Sequence, residues 1–99
     1  EDFKPYNLLF GALGSCFYHT FMVIAHKKRL SYKEVNIEIS GVKRDKAPTI
    51  LETVTMKITI KGADDEEKFT NVVKLACDNC SIHETIKQVA EIKTIIVYE

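Results

Sequence analysis

The chain has 99 residues, which is enough for one domain and too few for two. Its 14 basic and 14 acidic residues cancel, so it lacks the positive excess typical of nucleic-acid-binding and membrane-surface proteins. Three cysteines are an odd and sparse set for a small secreted domain. We therefore expect a single cytoplasmic domain over residues 1–99 with reduced thiols and with neither a nucleic-acid nor a membrane partner.

The first predicted element is a long helix from about Pro5 to Arg29. Proline suits a first helical position, and the apolar residues that follow recur at helical spacing and cover nearly the whole circumference. Such a helix is buried in a core or in a subunit interface. Gly11 and Gly14 weaken a helix, so we expect that another backbone passes close to them.

Two strands are predicted next, at 35–39 and 54–60, because apolar and polar residues alternate in both. Strict alternation with one wet face is typical of antiparallel sheets. The intervening segment 40–49 contains glycine, aspartate and proline and is predicted to be a hairpin loop.

The second half of the chain predicts two helices and a last strand. Asp64 or Asp65 is the expected N-cap of the first helix, and Ser81 with Glu84 fits a capping box for the second. A short strand is expected at 94–98. The predicted fold is therefore α+β, with helices packed on one antiparallel sheet.

The cysteines are the candidate reactive groups. Cys80 precedes a predicted helix, whose backbone N–H groups would stabilise a thiolate, although a buried and inert thiol is the commoner case. Cys16 lies in the apolar helix, where burial raises a thiol pKa unless a cation is near. His19, three residues further on, is a candidate base or an incidental neighbour.

Cys77 and Cys80 form a CxxC pair. A thioredoxin-type dithiol is disfavoured because that motif belongs between a strand and a helix. A zinc site is disfavoured because four ligands are needed and the remaining candidates, Cys16 and three histidines, lack paired spacing. We therefore expect no metal and no other cofactor.

A family resemblance is carried by two segments. Residues 5–16 (PYNLLFGALGSC) resemble the central helix of the OsmC/Ohr family, named after osmotically induced protein C and organic hydroperoxide resistance protein. Cys80-Ser81-Ile82 resembles the second family segment, a cysteine at a helix start. The intervening strand, strand, helix order is also similar, so the resemblance covers essentially the whole chain and implies a long central helix packed on the sheet.

This resemblance implies a function. Members of the family are intertwined homodimers that reduce organic hydroperoxides at the subunit interface. By resemblance, Cys16 would be the peroxidatic thiolate and Cys80 the resolving thiol, which form a disulfide that a dithiol reductant, often a lipoyl group, reopens. The additional Cys77 leaves room for a competing Cys77–Cys80 disulfide.

The sequence also departs from the family pattern. The family activates its peroxidatic cysteine with an arginine from an N-terminal strand, held by a carboxylate directly after the helix-opening proline. Here that position is Tyr6, with Asn7 beside it, and we expect the N-terminal strands to be absent. Arg29 or Arg44 would have to substitute, or would be solvated surface. The alternative hypothesis is a non-catalytic relative that acts as a dimeric binding or thiol-sensing protein.

Overall fold

The computed structural model describes residues 5–99. Six elements follow one another along the chain. They are α1 (Pro5–Lys27), β1 (Glu34–Lys43), β2 (Leu51–Lys61), α2 (Glu66–Asp78), α3 (Ser81–Lys87) and β3 (Glu91–Tyr98). The predicted α+β class and the order of the elements are therefore confirmed. Each strand is longer than the segment predicted for it.

The sheet has the order β1-β2-β3 and is mixed. The predicted hairpin is confirmed, because β1 and β2 pair antiparallel from Glu34↔Lys61 onward. The expectation of a wholly antiparallel sheet is wrong, because β3 runs parallel to β2 from Thr53↔Glu91 to Ile60↔Tyr98. Helices α2 and α3 connect these two strands, and a helical crossover returns the chain in the same direction.

The core lies between the helices and one face of the sheet. The inward residues of β2 are fully buried: Val54, Met56, Ile58 and Ile60. Against them pack the buried residues of α1 and α2. Phe21 is at the centre of an aromatic cluster, with ring centroids 5.8 Å from Phe17, 5.6 Å from Tyr32 and 5.9 Å from Phe69. This cluster fixes α1 against α2.

Among residues 5–99, only one side of α1 is covered by the rest of the protein. Its buried residues are Leu13, Phe17, Phe21 and Ala25, whereas Leu8, Tyr18, Met22 and Val23 are among the large exposed hydrophobic residues. By length and composition α1 is able to cross a membrane, and 22% of its most apolar stretch is buried. Core helices of soluble proteins share that composition, and α1 packs on α2, α3 and β1.

The two helix glycines do not mark a close backbone approach within the described chain. A Cβ added at Gly11 would have no heavy atom within 4 Å, and at Gly14 it would meet only the Ile39 side chain, at 3.4 Å. Gly41 in β1 is tightly packed, because a Cβ there would lie 2.6 Å from Phe10 Cζ. For residues 5–99, the prediction from Gly11 and Gly14 is therefore wrong.

The helix caps agree with the sequence at one helix and differ at the other. Asp65 is the N-cap of α2, and its Oδ1 accepts a hydrogen bond of 3.1 Å from the Lys68 N–H. For α3 the N-cap is Cys80 rather than Ser81. The Cys80 Sγ accepts from the His83 N–H at 3.5 Å, so the helix begins one residue earlier than the capping-box pattern predicts.

Candidate active site

Packing of α1 on α3 brings two of the three thiols together. Cys16 is in the middle of α1, directly before the buried anchor Phe17, and Cys80 is the N-cap of α3. The two side chains are within hydrogen-bonding reach of each other. Cys80 is fully buried, while Cys16 is partly exposed, and both are free thiols. An outside reagent therefore reaches the pair at Cys16.

The surroundings of Cys16 favour its thiolate. The Cys80 thiol, acting as a hydrogen-bond donor, is the largest influence that lowers the pKa of Cys16 below its ordinary value of 9.0, and the backbone N–H of Ile82 is the next. Burial opposes them, and the side chain and backbone of Ser81 add to the lowering. From the sequence, burial without a nearby cation was expected to raise the pKa of Cys16; in the structure hydrogen-bond donors, rather than a cation, lower that pKa.

The pKa of Cys80 shifts in the opposite direction. Burial, followed by the hydrogen bond with Cys16, raises the pKa of Cys80 from 9.0 to about 11, and the N–H groups of His83 and Ile82 only partly offset this. The sequence suggested that these N–H groups would stabilise a thiolate at Cys80. In the structure the Ile82 N–H acts on Cys16 as well, and the raised pKa of Cys80 keeps that thiol protonated at neutral pH.

Cys77 faces away from this pair. It lines a groove of about 510 Å³ between α2, α3 and β3, which also contains His83 and Thr94. Burial raises the pKa of Cys77, and a hydrogen bond with Thr94 partly offsets it. The CxxC sulfurs are thus directed to different sides of the chain. No group of three or more His, Cys, Asp or Glu side chains within residues 5–99 is arranged to hold a metal ion.

The remaining candidates lie away from Cys16. His19 is exposed beside Met22 and His26 on the open side of α1. Arg29 follows the end of α1, thirteen residues beyond Cys16 or about 20 Å along the helix axis. The Nε of Arg44 donates to the Pro48 carbonyl at 2.8 Å. Within the described chain, neither arginine takes the place of an activating cation at Cys16.

The residue next to the helix-opening proline has a different partner. Tyr6 lies under Lys43, whose Nζ is 5.1 Å from the ring centroid. The functional groups that the sequence did not reveal are the N–H of Ile82 and the hydrogen-bonding groups of Ser81, which both act on Cys16. Their only sequence signal is their place directly after Cys80.

A partly exposed cysteine on a central helix faces a second cysteine at the start of another helix. This arrangement and a sequence match together decide the family. The family model described as OsmC-like protein matches residues 1–95. The chain belongs to the OsmC-like family. No curated protein matches it.

Solved structures agree with the OsmC-like fold. A hypothetical protein from Aquifex aeolicus superposes with a TM-score of 0.90 at 27% identity, covering 100% of this chain and 76% of that one. An OsmC-like protein from Mycoplasma pneumoniae gives a TM-score of 0.89 at 16% identity, covering 99% and 73%. An organic hydroperoxide resistance protein OsmC from Legionella pneumophila gives a TM-score of 0.79 at 17% identity, covering 95% and 69%. Membership of the family supports a peroxiredoxin-like redox role.

Proposed function

We propose that this OsmC-like chain is a cytoplasmic thiol peroxidase for organic hydroperoxides, with Cys16 as the peroxidatic residue and Cys80 as the resolving residue. One observation carries the proposal. The two thiols contact each other, and the contact lowers the pKa of the accessible Cys16 while Cys80 keeps its proton. Reaction with a peroxide requires a nucleophilic thiolate with a second thiol in reach.

The chemistry follows from this asymmetry. The Cys16 thiolate attacks the terminal hydroperoxide oxygen, the O–O bond breaks, and the alkoxide leaves as an alcohol after taking up a proton. Cys16 is then a sulfenic acid. The Cys80 sulfur attacks the Cys16 sulfur, water leaves with the Cys80 proton, and a Cys16–Cys80 disulfide forms. An external dithiol, of the lipoyl type, reduces this disulfide by two exchange steps and becomes a disulfide itself.

The proposal includes a homodimer. The open side of α1 presents Tyr18, Met22 and Val23, which are 39%, 42% and 40% exposed. An apolar side of this extent on a helix is a candidate protein interface. A second copy that covers it would also narrow the approach to the partly exposed Cys16 and would give an apolar hydroperoxide a surface to bind.

The test is to treat the reduced protein with one equivalent of cumene hydroperoxide and to map its thiols by mass spectrometry. The wild type is expected to lose two mass units as a Cys16–Cys80 disulfide. Cys80→Ser is expected to stop at a sulfenic acid on Cys16, and Cys16→Ser is expected to remain reduced. Oxidation that proceeds equally well in Cys16→Ser would remove Cys16 from the mechanism.

A second candidate function has one observation in its favour. No cation contributes to the lowered pKa of Cys16 among the residues that the structure describes, and Tyr6 occupies the position after the proline. A non-catalytic dimeric binding or thiol-sensing protein is the function that fits this feature. Thiols that stay reduced under hydroperoxide, in a protein that is folded and dimeric, would favour it over the peroxidase.

A further inference from the structure

Cys80 lies between two other thiols, and the proposed peroxidase uses only one of them. On one side Cys80 contacts Cys16. On the other side the Cys80 N–H donates to the Cys77 carbonyl at 3.3 Å, which closes a four-residue turn. The ends of such a turn lie within about 7 Å of each other, close to the Cα separations that disulfides span. Because the two sulfurs are directed to different sides of the chain, a disulfide from Cys80 to Cys77 requires rotation of both side chains and a local backbone shift at the end of α2.

The two outer thiols have different access. Cys16 is on α1, at the partly exposed side of the contact with Cys80. Cys77 is 7% exposed and lines the groove between α2, α3 and β3. The residues that line this groove include the aliphatic Val73, Ile92 and Ile96. Cys80 is fully buried between the two sides, so a disulfide that moves from one neighbour to the other changes the side from which it is reached.

We propose that Cys77 is a third redox thiol, which takes the disulfide over from Cys16 and presents it in the groove to an external dithiol carried on an aliphatic arm. This inference rests on the proposed peroxidase function, since hydroperoxide reduction supplies the Cys16–Cys80 disulfide. It separates the two halves of the cycle, with the peroxide entering at Cys16 and the reductant entering at Cys77.

The exchange step is balanced without an additional oxidant. The Cys77 thiol loses its proton to solvent and its sulfur attacks the Cys80 sulfur. The Cys77–Cys80 bond forms, the Cys16–Cys80 bond breaks, and Cys16 leaves as a thiolate. A thiol with a lowered pKa is the better leaving group, and Cys16 is the one whose pKa is lowered while burial raises that of Cys77.

Reduction then takes place at the groove. One thiolate of the external dithiol attacks the Cys77 sulfur, and Cys80 leaves and takes up a proton. The second thiol of the reductant attacks the mixed disulfide, which releases Cys77 and closes the reductant into its own disulfide. Cys16 was released in the exchange step and is available for the next hydroperoxide.

Tryptic mapping separates the two disulfides. Cys77 and Cys80 share the peptide 75–87, whereas Cys16 is in the peptide 1–27. After one equivalent of cumene hydroperoxide, samples are quenched with N-ethylmaleimide over time. The expected result is a link between the peptides that decays while an internal disulfide in 75–87 grows at the same rate and Cys16 becomes alkylated again. Cleavage before Asp78 distinguishes a Cys16–Cys77 link from a Cys16–Cys80 link.

Two variants complete the test. In Cys77→Ser the link between the peptides is expected to persist, and dihydrolipoamide is expected to reduce it more slowly than it reduces the oxidised wild type. Cys16→Ser, equilibrated with mixtures of reduced and oxidised dithiothreitol, is expected to form the internal 75–87 disulfide without any peroxide. A wild-type link that persists as long as in Cys77→Ser, or a Cys16→Ser variant that never closes this disulfide, would overturn the exchange. If Cys16→Ser closes it but hydroperoxide oxidises no thiol of the wild type, the peroxidase function is the part that fails.

Discussion

Phe21 is the residue whose truncation tests how α1 is held in place. Its side chain is fully buried and contacts three other rings, those of Phe17, Tyr32 and Phe69. Because it lies five residues after Cys16 on the same helix, the cluster also determines where Cys16 meets α3. The perturbation is Phe21→Ala, with Met22→Ala as the control, since Met22 is the next residue and is 42% exposed.

The magnitude follows from burial and from the ring contacts. Truncating a fully buried phenylalanine to alanine lowers the free energy of unfolding by about 3–5 kcal/mol. Aromatic pairs contribute about 0.5–1.5 kcal/mol beyond area burial, and Phe21 has three, so we expect the upper part of that range. Met22→Ala removes a partly exposed side chain and is expected to lower it by less than about 1 kcal/mol.

Urea unfolding followed by circular dichroism measures the difference. With a slope of about 2 kcal/mol/M, Phe21→Ala shifts the midpoint down by about 2 M. Phe21→Leu, expected to lower the free energy of unfolding by about 1–2 kcal/mol, covers the case in which the alanine variant does not fold. It is also expected to slow formation of the Cys16–Cys80 disulfide. If Phe21→Ala were no more destabilising than Met22→Ala, the aromatic cluster would not be what holds α1.

Three further predictions concern the thiol pair and the sheet. Cys80→Ala removes the main donor to Cys16 and is expected to raise the pKa of Cys16, so the pH profile of Cys16 alkylation moves to higher pH; an unmoved profile would exclude the thiol contact. Since the pKa of Cys80 is raised from 9.0 to about 11 in the folded state, the unfolded state loses this proton first. The free energy of unfolding is therefore expected to fall from about pH 9 to 11, and more steeply in the wild type than in Cys80→Ala; equal slopes in urea titrations would contradict this. Gly41→Ala places a Cβ 2.6 Å from Phe10 and is expected to lower the free energy of unfolding by about 1–3 kcal/mol, whereas Gly11→Ala, with no atom within 4 Å, is expected to raise it by up to about 1 kcal/mol. Thermal unfolding of the two alanine variants checks the contrast, and equal effects would refute it.

The sequence predicted the elements because their signals are local. Alternation marked β1 and β2, and apolar residues at helical spacing marked α1. The side of α1 that is buried follows the same spacing, from Leu13 to Phe17 and Phe21. The all-round apolar composition predicted burial in a core or in a subunit interface, and in the structure Met22 and Val23 are exposed on the side of α1 away from the core.

The direction of β3 could in principle have been predicted from the sequence, but not from the alternation of apolar and polar residues. The alternation of apolar and polar residues is the same for either direction of a strand, so the pattern alone favoured a wholly antiparallel sheet. The two helices between β2 and β3 were the better signal, because a helical connection allows the chain to return parallel.

The properties of the thiols were decided by tertiary structure. Position in the chain assigned the N–H groups at the start of α3 to Cys80, the residue that precedes them. In the folded chain α1 places Cys16 against the hydrogen-bonding groups of Ser81 and Ile82, while the His83 N–H donates to the fully buried Cys80. A pKa depends on hydrogen-bond donors and on burial, and elements far apart in the sequence can contribute both. Here residues 80–82 act on residue 16, and no local sequence pattern shows that these residues are close in the fold. The sequence could therefore name the two cysteines, and only the packing of α1 on α3 decided which of them favours the thiolate.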